Sequence, residues 1–268
     1  MAEPFRIQRV DAALHGTPFH GRLHHFATID STNTRALADA QAGVAAGQVY
    51  IADEQTAGRG RGGHAWHSEP ERGLYLTALV RPRVRADDAL MISFAAGVAA
   101  SLAIAEATNL QIDLRWPNDL VTRAEGRHSR KLGGILTETA STPQGDLRHA
   151  AIGIGINLNQ ADFPPDLAAD ATSVRVECDH EVSREAVAIA LLRHLHAELL
   201  RLESATGPAE LLQRFALFST WASGKRVRVA EGDGYTGVTA GLTAAGLLRV
   251  LCDDAQERVV RHGGVREV

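Results

Sequence analysis

Apolar positions change their spacing along the chain, and those changes mark its elements. Asp30-Ser31-Thr32-Asn33 offers capping side chains just before TRALADAQA, which predicts a helix, and Gly43 and Gly47 then lead into a short apolar strand at Val49–Ala52. Leu74–Val80 reads as a further strand. After Asp87-Asp88 the apolar positions fall at helical intervals through Leu90, Phe94, Val98 and Leu102, so Ala89 to Ala107 is expected to be a helix buried against a sheet. Ile112–Trp116, Leu132–Thr139 and Ala150–Leu158 read as strands, with the polar stretch Arg123–Arg130 an exposed loop between the first two. Ser183 caps a helix reaching about Leu202, and Pro208 opens another reaching about Phe218.

Past Trp221 the texture changes to short β-like pieces at Arg226–Ala230, Tyr235–Ala240, Leu247–Leu251 and Arg258–Arg261, divided by glycines and Asp253-Asp254. Even spacing of strand and turn signals predicts a separate small barrel of SH3 type over a continuation of the first sheet. The expected architecture is α+β: a mixed-sheet catalytic domain over residues 1–220 and a C-terminal SH3-like β-barrel over 221–268.

Composition narrows the function classes. With 268 residues, 45% hydrophobic and 22% charged, the chain is long enough for a substantial core. Its formal charge of -4, from 28 basic and 32 acidic residues, provides no global attraction to nucleic acid or an anionic membrane, so any positive field must be local. No uninterrupted apolar stretch is expected to span a bilayer, and the start MAEPFRIQRVD carries charges where a secretory signal needs an apolar core, which makes the cytoplasm the expected compartment. Cys178 and Cys252 have no paired spacing and read as buried free thiols.

The local source of positive charge is QTAGRGRGGHAWHS, Gln55 to Ser68. Glycine lets main-chain N–H groups approach a ligand, while Arg59 and Arg61 supply forked, permanently charged donors for a phosphate or carboxylate. Two commoner phosphate loops do not fit. A P-loop requires Lys and then Ser or Thr after its last glycine, where this chain has His64 and Ala65. A dinucleotide fingerprint must open a helix, whereas Trp66, Pro70, Gly73 and a β-like run follow here.

Three further strings carry chemistry. Arg115-Trp116-Pro117-Asn118-Asp119 sets an amide and a carboxylate on a turn after a strand, where Asp119 could hold Mg²⁺ or a ribose hydroxyl. Lys131 stands alone at the mouth of an apolar strand beside Gly133-Gly134, a candidate for a charge contact with the reacting centre. Gly153-Ile154-Gly155-Ile156-Asn157 is a strand with small residues on one face, ending in a side chain that both donates and accepts. The histidine pairs lack a third ligand and a fixed scaffold for zinc, and no G-x-S-x-G nucleophile motif is present.

In this order, Asp30–Asn33, Gln55–Arg61, Trp66, Arg115–Asp119, Lys131–Leu136 and Gly153–Asn157 resemble the biotin-protein ligase family. The resemblance implies a catalytic domain related to class II aminoacyl-tRNA synthetases, which converts biotin and MgATP into biotinyl-5′-AMP and then transfers the biotinyl group to a lysine of a biotin carboxyl carrier protein. By motif matching, Ser31, Thr32, Asn33 and Gln55 would line the biotin head group, and Arg59, Gly60 and Arg61 the ligand-ordered loop. Trp66, Gly133 and Gly155 would complete the biotin site, and Lys131 would contact both biotin and the adenylate. Asn118, Asn157 and Trp66 would belong to the ATP site, with Asp119 near the triphosphate and its Mg²⁺. Lys131, Arg59 and Arg61 are the expected catalytic residues.

The chain departs from the family pattern where Gly62 and His64 replace common arginines and where Arg115 replaces the usual lysine. About thirty residues precede Ser31, too few for the helix-turn-helix that some relatives carry, so no DNA binding and no repressor activity is expected. A homodimer is an expectation from the resemblance alone. A lipoate ligase and a non-catalytic biotin-binding relative are the competing readings. The polar Ser31-Thr32-Asn33 and Gln55 set favours a ureido ring over a dithiolane, and Asp119 with Lys131 favours turnover.

Overall fold

The structure, a computed structural model, describes residues 4–123, 128–261 and 263–268, so part of the loop expected at Arg123–Arg130 lies outside the described residues. The first half of the chain forms α1 (Ile7–Ala13), β1 (Leu23–Ile29), α2 (Thr32–Gln41), β2 (Gln48–Gln55), β3 (Gly73–Val80), α3 (Ala89–Thr108), β4 (Ile112–Arg115) and β5 (Asp119–Thr122). The second half forms β6 (Lys131–Ser141), β7 (Leu147–Asn157), α4 (Val174–Cys178), α5 (Arg184–Leu202), α6 (Gly207–Leu217), β8 (Ser223–Val229), β9 (Tyr235–Leu242), β10 (Leu248–Cys252), β11 (Glu257–Val260) and β12 (Val265–Glu267).

Seven strands make one sheet in the order β1-β2-β3-β7-β6-β5-β4. β1 and β2 run parallel and the other neighbours antiparallel, giving the mixed sheet of an α+β fold. Alternation along β3 divides its side chains between two faces. Leu74, Leu76, Ala78 and Val80 join the main core, whereas Leu79 packs with Tyr50, Ala151, Ala36 and Ala40 beneath α2. Both faces are therefore covered, which explains why every residue of β3 is buried.

The apolar helix α3 packs between the sheet and the pair α5 and α6, as its unbroken hydrophobicity predicts. Phe94 stacks on Phe215 of α6 with ring centroids 4.0 Å apart. One expectation needs correction: the helix spanning Ala86–Thr108 is long and apolar enough to cross a membrane by length and composition. Its place in the core accounts for that composition, with 67% of its most apolar window buried inside the fold. The cysteines are free, but Cys178 is only partly buried while Cys252 is buried.

The C-terminal strands form their own sheet, in the order β11-β10-β9-β8-β12, and do not extend the first. The turn between β9 and β10 docks it onto α3. Trp116 Nε1 donates to the Gly246 carbonyl at 2.9 Å, and a Cβ on Gly246 would come within 2.8 Å of Met91 and 2.9 Å of Phe94. Gly246 also has φ +79°, a left-handed conformation. Gly246→Ala is therefore expected to lower stability by about 1–3 kcal/mol, from backbone strain and the crowded junction. A urea midpoint equal to that of the parent would contradict this account.

Candidate active site

A cavity opens on the α2 face of the large sheet, enclosing about 460 Å³ of space including its mouth. Part of its wall is built at the start of α2. Ser31 caps that helix, its Oγ accepting from Thr34 N at 3.5 Å, and so places Thr32 and Asn33 in the first turn, both buried. Gln55, at the end of β2, accepts from Thr32 N at 2.9 Å through Oε1 and donates to Ser68 Oγ at 3.1 Å. The Thr77 hydroxyl lies 2.8 Å from Thr32 Oγ1 and donates to Asn33 Oδ1 at 2.5 Å. Asn33 Nδ2 donates to the Leu136 carbonyl at 3.2 Å and to Glu138 Oε2 at 2.9 Å.

Glycines make room for this wall. A Cβ on Gly153 would sit 2.2 Å from Asn33 Oδ1, and one on Gly155 would sit 2.6 Å from the Trp66 indole. The two are adjacent on one face of β7, so alternation alone places both against the cavity.

The glycine–arginine segment lines the same cavity through Arg59, Gly60, Arg61 and Trp66. Gly60 N donates to the His64 carbonyl at 2.7 Å and Trp66 N to the Gly58 carbonyl at 2.8 Å, folding the segment back on itself. Arg59 pairs with Glu138, and Arg61 Nη1 donates to the Gly263 carbonyl of the second sheet at 2.6 Å. Lys131 Nζ lies 5.6 Å from the centroid of the Trp66 ring, and Trp66 Nε1 is buried without a hydrogen-bond partner.

Lys131 is not the lone charge that its sequence context predicts. Its Nζ is 2.5 Å from Asp119 Oδ1, while Arg115 reaches Asp119 Oδ2 at 2.7 Å and Arg266 approaches the same oxygen at 3.9 Å. Burial pushes the Asp119 carboxyl up, but Lys131 and Arg115 outweigh burial and hold it below the usual carboxylate range. A depressed folded-state pKa stabilises the fold above the unfolded value, about 3.9, and that contribution disappears as pH falls through the folded value. Asp119→Asn is expected to flatten the acid limb of the stability curve below about pH 4. Parallel acid limbs for parent and variant would contradict the coupling.

Motif matching sets Asp119 near the triphosphate and its Mg²⁺. Each Asp119 carboxylate oxygen already faces a cation, and no group of three or more potential ligands gathers among the described residues.

Most of the predicted site converges. Ser31, Thr32, Asn33, Gln55, Arg59, Gly60, Arg61, Trp66, Asn118, Lys131 and Gly155 all line the cavity. Asn118 is held there by reciprocal bonds with Ile135, its Nδ2 donating at 2.7 Å and its carbonyl accepting at 2.9 Å. Asn157 is not among the lining residues: it is buried and donates to the Thr172 carbonyl at 3.1 Å. Gly133 is also not among them, and a Cβ there would come within 2.7 Å of the Gly155 carbonyl. Tyr75, Leu76, Gly134, Ile135, Leu136, Gly153 and Ile154 complete the wall. Strand alternation could have found Tyr75 and Gly153, whereas Glu138 carries no local signal.

Comparison with known proteins agrees with this geometry. The model of the biotin/lipoate A/B protein ligase family matches residues 25–157. A biotin–[acetyl-CoA-carboxylase] ligase of Mycobacterium tuberculosis is 32% identical over 244 residues, covering 89% of this chain and 85% of that protein. The chain belongs to the biotin protein ligase family. The bifunctional ligase/repressor BirA of Bacillus subtilis is 36% identical over 143 residues, a match covering 53% of this chain and 42% of that protein. The chain thus spans under half the length of the first curated relatives it matches, at 42% and 48%. Among solved structures, the biotin protein ligase of Aquifex aeolicus in complex with biotin and ATP aligns with TM-score 0.74 and 26% identity, over 91% of this chain and 97% of that one.

Proposed function

We propose that this biotin protein ligase family member activates biotin with ATP and transfers the biotinyl group to a lysine of a biotin carboxyl carrier protein. The observation that carries the reading is one cavity with two chemistries. Neutral hydroxyl and amide groups of Thr32, Asn33 and Gln55 line it together with the cations of Arg59, Arg61 and Lys131. A ureido ring both donates and accepts, which suits the first set, and the Ile135, Leu136 and Ile154 walls suit an apolar arm.

In the first step a carboxylate oxygen of biotin bonds to the α-phosphorus of ATP and pyrophosphate leaves. The reactants repel each other, so the protein's task is positioning and charge neutralisation. Three cations stand around Asp119, and that surplus of positive charge suits a polyphosphate. Mg²⁺ would arrive as part of MgATP, held chiefly by phosphate oxygens. In the second step a neutral carrier amine bonds to the acyl carbon, AMP leaves, and the amine gives up its proton. Until then the loop keeps water from the mixed anhydride.

The same reading treats 1–220 as a catalytic domain of the class II aminoacyl-tRNA synthetase type and 221–268 as an SH3-like barrel. It describes a cytoplasmic enzyme that uses neither nucleic acid nor a membrane and forms a homodimer. Incubation with ATP, Mg²⁺ and either biotin or lipoate, followed by mass spectrometry, tests it: biotinyl-AMP is expected. Lipoyl-AMP alone would make the chain a lipoate ligase, and neither product would make it a binding relative.

Arg61→Gly removes the tie to the Gly263 carbonyl while leaving the Arg59 pair in place. Release of preformed biotinyl-AMP is expected to accelerate more than its formation slows. Equal release rates in the parent and the variant would remove Arg61 from the clamp.

A further inference from the structure

Glu138 is not among the residues lining the cavity, yet it joins two that are. Its Oε2 accepts from Asn33 Nδ2 at 2.9 Å and also from the Arg59 guanidinium. A chain of polar contacts thus runs from Gln55 to Thr32, Thr77, Asn33, Glu138 and Arg59. Within it, Thr77 and Glu138 are the members outside the cavity wall, so neither is placed to touch a bound ligand.

The glycine–arginine segment is bonded internally between Gly60 and His64 and between Trp66 and Gly58. Its position over the cavity therefore depends on ties to the rest of the protein. One is Arg61 to the second sheet, and another is Arg59 to Glu138, a strand residue 79 positions away. With side-chain exposures of 43% and 30%, the Arg59–Glu138 pair adds little to global stability.

We propose that Glu138 is a positioning residue that pins the loop over the cavity through Arg59 and, by sharing one carboxylate oxygen with Asn33, couples loop closure to the head-group wall. The consequence for catalysis rests on the ligase reading above, while the pin itself does not depend on which ligand binds.

Glu138→Gln separates the two contacts, because an amide oxygen still accepts from Asn33 but no longer offers charge to Arg59. Native-state trypsin cleavage after Arg61 in the ligand-free variant is expected to be about fivefold faster than in the parent, the upper range for a half-exposed ion pair. The thermal midpoint is expected to stay the same. Biotinyl-AMP, supplied preformed, should leave the variant about fivefold faster too. In a cycle with Arg59→Met, the double variant should release it no faster than the more affected single one.

Equal cleavage rates, or a fall in thermal midpoint that accounts for the faster cut, would overturn the pin. Unchanged or additive release rates would overturn the coupling. If the parent binds no biotinyl-AMP while the cleavage difference persists, the ligase reading fails and the pin stands.

Discussion

Gly153→Ala is expected to weaken biotin binding by more than about a hundredfold and to lower stability by about 2–5 kcal/mol. The added Cβ would sit 2.2 Å from Asn33 Oδ1 and 2.9 Å from Asn33 Cγ. Asn33 is buried and fixed by Thr77, the Leu136 carbonyl and Glu138, so it cannot yield without leaving several of those groups unpaired. Neighbouring β-strand backbone leaves little room for the strand itself to shift. Calorimetric titration with biotin and urea denaturation check the two effects separately. Parent-like affinity in a destabilised variant would show that the Asn33 wall does not hold the head group.

Lys131→Met is expected to slow biotinyl-AMP formation by about tenfold to over a hundredfold, the loss of a charge-assisted contact of about 1.5–3 kcal/mol. Methionine keeps an apolar stem beside Trp66 but brings no charge to the cavity. Asp119 retains Arg115 at 2.7 Å, so the carboxylate is not stranded and the fold should persist. Single-turnover adenylation, followed by quantifying the acyl-AMP, isolates the first step. A parent-like rate would reduce Lys131 to a partner of Asp119 with no part in the chemistry.

Legibility in the sequence followed how local each signal was. Ser31 before TRALADAQA announces a helix start because a cap acts over three residues, and the helix begins at Thr32. The long apolar run declares a buried helix because it is apolar around every face over many turns. Elements with weak or short patterns escaped that reading. β1 reads LHHFATI and lies at the sheet edge, half exposed, so it lacks an apolar run. β5 is four residues long and directly follows the Trp116–Asn118 turn, where the sequence reads as a stop. β12 has three residues and exists by pairing with β8.

By itself the sequence determined the helix caps, the strand faces and the glycines that keep the cavity open, because these depend on residues a few positions apart and on the periods of helix and strand. The family motifs are legible for the same reason, each being short and ordered along the chain. Only the tertiary structure decided the charge partners. Arg59 meets Glu138 across 79 positions and Arg61 meets Gly263 across 202, while Lys131 and Asp119 neutralise each other. Such pairings follow from which strands become neighbours, since a side chain several ångströms long interacts with what the fold brings near it, whatever the distance along the chain.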